Sequence, residues 1–88
     1  MRVVLSPRAE KQLKKLSKID QIAIAKKIRS LRDYPLTQRA ERLKGFKNIY
    51  RVRIGNYRIV FKKSLKEIYI VLIHHRKDIY RLLRQLVD

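Results

Sequence analysis

The stretch YRVRIGNYRIVF, residues 50–61, constrains the fold more than any other part of the chain. Two runs of alternating apolar and polar residues flank Gly55-Asn56, the composition of a two-residue hairpin turn. A turn of that length leaves one register, with Val52 opposite Ile59 and Arg53 opposite Arg58. Tyr50, Val52, Ile54, Tyr57, Ile59 and Phe61 then share one face, and Arg51, Arg53 and Arg58 share the other. Like charges set directly across a sheet destabilise it. A lone arginine here would read as a solvated strand position. Three together call for an anion, because each planar guanidinium can donate two charge-assisted hydrogen bonds to a phosphate.

The remaining sequence supplies a frame for this hairpin. RVVL at 2–5 fits a short strand, stopped by Ser6-Pro7, where Ser suits a helix N-cap and Pro the first helical position. Ala9, Leu13 and Leu16 make one apolar stripe, and Ile24, Ile28 and Leu31 make a second after a cap at Ser17 or Asp20, so a helical hairpin is expected before Tyr34-Pro35. Residues 34–48 show no period and read as a loop that packs through Leu43 and Phe46. IYIVLI at 68–73 is apolar on both faces, as an interior strand is. After HHRKD, the spacing of Ile79, Leu82, Leu83 and Leu86 predicts a last amphipathic helix. The expected class is therefore α+β: an N-terminal strand, a helical hairpin, a three-stranded antiparallel meander and a C-terminal helix, forming a single domain over 1–88.

Charge narrows the partner. Lys and Arg number 24 against 7 Asp and Glu, for a net charge of +17, a field that draws polyanions, nucleic acid first and acidic protein second. With no cysteine and two histidines, neither disulfides nor a zinc site is expected, and no cofactor is called for. The apolar runs are too short for a leader or a membrane span, so a cytoplasmic protein without a membrane partner is expected.

A second cluster, HHRKDIY at 74–80, falls where a strand ends and a helix begins, a place where rigid elements hold loops for chemistry. His74 and His75 project to opposite faces, so only one can face the arginines. An imidazole titrates nearest neutrality of all side chains and can carry a proton there. Tyr80 can pack its ring under the domain or stack it on a nucleobase.

The LKG, YR-x-R-x-G-x-YRI and HRKD-x-Y segments, in this order and spacing, resemble the RelE/ParE superfamily of bacterial and archaeal toxins, and its RelE-like branch most. The likeness extends over nearly the whole chain. It implies a RelE-like, microbial-ribonuclease-like fold and a metal-independent endoribonuclease that cuts messenger RNA on the ribosome, silenced by an acidic, RelB-like antitoxin. RelE toxins carry basic residues where Arg51 and Arg53 stand, arginines at Arg58 and Arg76, and a tyrosine near Tyr80. The best-studied RelE enzymes have lysine at the first two positions, and arginine cannot lose a proton as lysine can. His75, which precedes Arg76 as in many relatives, is the candidate base in its place. His74 stands where those relatives more often carry a small residue.

Cleaving RNA in this way requires deprotonating a 2′-hydroxyl, stabilising a dianionic phosphorane and protonating the 5′-oxygen that departs. The roles expected are Arg53 and Arg58 on the scissile phosphate, Arg51 assisting, His75 taking the proton, Arg76 stabilising the leaving oxygen and Tyr80 orienting a base. Lys44, Lys47 and Lys77 are expected along the RNA backbone. Three other readings compete: a ParE-like toxin that poisons DNA gyrase, a non-catalytic basic nucleic-acid-binding module, and a folded but inert toxin.

Overall fold

The structure, a computed structural model, describes residues 2–33 and 40–75. Ser6 opens the first helix, its Oγ accepting from the Ala9 amide at 2.9 Å, with Pro7 in the first turn where no amide partner is needed. Helix α1 (Pro7–Lys14) follows strand β1 (Arg2–Leu5), and α2 (Lys18–Asp33) completes the helical hairpin. Ser17 caps α2 through the Asp20 amide, and Gln21 donates to the carbonyl oxygens of Lys14, the last residue of α1, and of Leu16 in the turn that follows. Two orphan carbonyls are satisfied by one side chain.

Strands β2 (Glu41–Arg42), β3 (Ile49–Ile54), β4 (Tyr57–Lys63) and β5 (Glu67–His75) complete a five-stranded sheet in the order β1-β5-β4-β3-β2. The β3–β4–β5 meander is antiparallel and β1 joins β5 in parallel, so the sheet is mixed. The hairpin register is the one its turn dictates, Val52 with Ile59 and Arg53 with Arg58. Gly55 takes φ 58° while Asn56 does not adopt a positive φ, the pattern of a turn with glycine at its first central position. One element differs from the expected loop over 34–48. Glu41 and Arg42 pair with Arg51 and Tyr50 as an added edge strand, which a polar dipeptide with no apolar alternation does not announce. Residues 34–39 and the expected C-terminal helix lie outside the described residues.

The helices cover one face of the sheet. Ala9, Ile24, Ile28 and Leu31 pack on Val52, Ile59, Phe61, Ile68, Ile70 and Ile73, and Tyr50 stacks on Phe61 at 5.6 Å. The opposite face is divided. Leu43, Ile49, Val60 and Leu72 are buried there with Phe46 against them, while the hairpin end carries the cations.

A bulge in β5 controls what that hairpin end presents. Val60 pairs with Leu72 but the next residue, Phe61, pairs with Ile70, leaving Val71 without a partner on β4. The side-chain alternation therefore reverses along β5: Ile68 and Ile70 face the helices, Leu72 faces away, and Ile73 faces the helices again. Two side chains hold the bulge. Ser6 Oγ donates to the Val71 carbonyl oxygen at 2.8 Å, and Gln12 Oε1 accepts from the Ile73 amide at 2.8 Å, where β5 runs on past the end of β1.

Candidate functional site

The arginines converge as the hairpin register requires. Arg51 and Arg53 stand one strand repeat apart on β3, roughly 6.8 Å, and Arg58 faces Arg53 across the ladder. Together with Glu41 they line a cavity of about 110 Å³ on the face away from the helices. Glu41 lies opposite Arg51 on β2, and its Oε2 accepts from Arg51 Nη2 at 2.9 Å and from Nε at 3.3 Å. An internal carboxylate thus offsets part of the repulsion that the register creates, and it occupies one side of the cleft in the manner of an anionic ligand. The carboxylate is 67% exposed and the Arg51 side chain 25%, so the pair is worth at most about 1 kcal/mol. Glu41 was not among the candidates from the sequence; the signal that marks it is a lone acid within a cation-rich stretch. Arg53 is exposed, and its Nε donates to the Gly55 carbonyl oxygen at 3.4 Å, which holds the guanidinium near the turn.

The histidines are distributed by the bulge. Arg58 pairs with His74 on β5, and Tyr57 pairs with His75. Directly paired residues share a face, so Arg53, Arg58 and His74 form one row across three strands. His75 belongs to the next row, with Tyr57 and Ile54, on the helix-bearing face, where its ring meets Tyr57 edge-on at 5.8 Å. It lines a cavity with Asp20, Ile24 and Asn56, which shares no lining residue with the arginine cleft. His75, the candidate base from the sequence, thus stands off the arginine row: unbroken alternation from Ile68 would place residue 75 with the arginines, and the extra residue at Val71 places residue 74 there.

Lys44 and Lys47 are exposed on the turn between β2 and β3, apart from the residues that line the cleft. Arg76, Lys77 and Tyr80 lie outside the described residues.

Comparison with known proteins agrees with this architecture. The family model of the ParE toxin of type II toxin-antitoxin systems, parDE, matches residues 3–80. The chain belongs to this toxin family. The toxin is 42% identical to Toxin RelE3 of Methanocaldococcus jannaschii over 40 residues, 46% of either protein, so the match spans about half the length of that curated relative. It superposes on the toxin of the RelB-RelE antitoxin-toxin complex from Methanococcus jannaschii with a TM-score of 0.74 at 27% identity, over 90% of this chain and 96% of that one. The isolated E. coli RelE toxin shares the fold at 17% identity, with a TM-score of 0.75 over 99% and 98% of the two chains. The RelE/ParE superfamily and the α+β class expected from the sequence are thereby established. No helix among the described residues is long and apolar enough to cross a membrane.

Proposed function

We propose that this toxin is a metal-independent endoribonuclease that cleaves messenger RNA on the ribosome by attack of a 2′-hydroxyl on the adjacent phosphate. The observation that carries the reading is the convergence of Arg51, Arg53 and Arg58 on one cleft. A phosphorane carries two negative charges in the transition state, and fixed guanidinium donors bind it better than they bind the ground-state phosphate. Arg53 and Arg58 grip the scissile phosphate, and Arg51 turns from Glu41 to a phosphate oxygen. An imidazole at the end of β5 takes the proton. Arg76 and Tyr80 keep the roles that the resemblance implies, at the leaving oxygen and on a base, with Lys44, Lys47 and Lys77 along the RNA backbone.

The partner follows from the same charges. A face that grips phosphates needs masking in a cell full of RNA, and a segment rich in Asp and Glu supplies the complementary surface. The structural relative from Methanococcus jannaschii is a toxin bound to RelB. For this toxin the partner is an acidic, RelB-like antitoxin, and co-expression yields a soluble complex.

A second reading has a specific observation in its favour, since the matching family model is described as the ParE toxin. A gyrase-poisoning toxin needs no phosphate cleft. Brief induction followed by mapping of RNA ends separates the two. The ribonuclease produces new cuts within translated codons, and Arg58→Ala, which removes one phosphate donor, lowers them about 10²–10³-fold. DNA breaks and an SOS response without new RNA ends would establish the gyrase reading instead.

A further inference from the structure

We propose that His74, and not His75, is the proton acceptor of this site. The inference rests on the ribonuclease reading and goes beyond it by assigning the base. Three observations carry it. The first is the row: Arg53, Arg58 and His74 are successive cross-strand partners. Neighbouring strands lie about 4.8 Å apart, so the row extends over roughly 10 Å, within reach of the arginine side chains on either side of a single nucleotide. A phosphate held by Arg53 and Arg58 has its neighbouring 2′-oxygen on the same face as His74. His75 stands in the next row, opposite Tyr57, on the other face of the strand, although both histidines border the small cavity at the β5 edge.

The second is the tautomer. His74 Nδ1 lies 3.3 Å from the carbonyl oxygen of His75. A carbonyl can only accept, so this contact favours the neutral tautomer with its hydrogen on Nδ1, which leaves Nε2 its lone pair. Nε2 is the atom farther from the backbone, and in this tautomer it is the one able to take a proton. The third is the device that sets the register. The bulge at Val71, held by Ser6 and Gln12, is what moves residue 74 rather than residue 75 into the arginine row. Without it, a one-residue change of alternation would exchange the two histidines.

In the proposed step the 2′-hydroxyl proton passes to His74 Nε2, giving an imidazolium. The 2′-oxygen forms a bond to phosphorus while the bond from phosphorus to the 5′-oxygen breaks. The products are a 2′,3′-cyclic phosphate and a 5′-hydroxyl whose proton comes from water. Among the described residues, the charged and titratable groups around His74 are Arg58 and Arg53 in its own row, Arg51 with Glu41 one row away, and Lys15 of α1, Tyr57 and His75, which line with His74 the small cavity at the β5 edge. The neighbours are mostly cationic.

The test measures cleavage of message on ribosomes across a pH series by full-length toxin freed from its antitoxin. Wild type should show an acid limb, its rate rising as the imidazole loses its proton. His74→Gln should lower the rate a hundredfold or more and flatten that limb, whereas His75→Gln should retain the limb. Loss of the limb in His75→Gln, or its survival in His74→Gln, overturns the proposal while wild-type cutting and its loss in Arg58→Ala keep the ribonuclease reading. Wild type that makes no cut overturns both. Independently of any variant, ¹⁵N spectra of the wild-type imidazoles should show the Nδ1–H form at His74, and an Nε2–H form there would equally overturn the proposal.

Discussion

At the scale of single residues, the site is a negotiation among like charges. Arg53 and Arg58 are directly opposed, an arrangement that costs stability until an anion is shared between them. Glu41 relieves the pressure at Arg51. We expect Glu41→Gln to lower folding stability by less than about 1 kcal/mol, because the carboxylate is largely exposed, and to tighten binding of a 2′-O-methyl oligonucleotide by removing a competing anion from the cleft. Parallel denaturation and binding titrations check both, and weaker binding by the variant would show that Glu41 organises the cleft rather than competes for it. The arginine triangle was legible from residues 50–61 because a two-residue turn leaves no freedom of register. Glu41 was not, because its relevance depends on a strand pairing that two polar residues do not advertise.

At the scale of elements, the turn and the bulge fix what the sheet presents. Gly55 sits at φ 58°, and a Cβ added there would meet nothing within 4 Å, so the penalty for substitution is conformational rather than steric. Gly55→Ala should cost about 1 kcal/mol in chemical denaturation, the left-handed strain of roughly 1–2 kcal/mol being partly offset by a less flexible unfolded chain. Ser6 serves two elements with one hydroxyl, accepting from Ala9 to cap α1 and donating to Val71 at the bulge. Ser6→Ala should therefore destabilise by about 2 kcal/mol, more than the roughly 1 kcal/mol of a lost cap alone. A loss no larger than that of a cap would mean that water satisfies Val71. The helical stripes were legible from their spacing, and Ala9, Ile24, Ile28 and Leu31 are buried as that spacing requires. The bulge was not legible, since nothing in IYIVLI distinguishes six strand residues in phase from six with one out of phase.

At the scale of the whole molecule, a net charge of +17 on 88 residues makes association with RNA chiefly a matter of released counterions. Binding to a single-stranded oligonucleotide should weaken with a log–log salt slope of about −0.7 per phosphate neutralised, and the slope should shrink by about one such unit in Arg58→Ala. An unchanged slope would place the RNA elsewhere on the surface. Charge, class and the hairpin register were determined by the sequence alone, because each rests on local chemistry: composition, periodicity and the geometry of a short turn. The choice between His74 and His75 was decided only by the tertiary structure. It depends on hydrogen bonds that tie Ser6, as donor, and Gln12, as acceptor, to a strand 65 and 61 residues away, and no local pattern can carry the outcome of a contact between segments that meet only when the chain has folded.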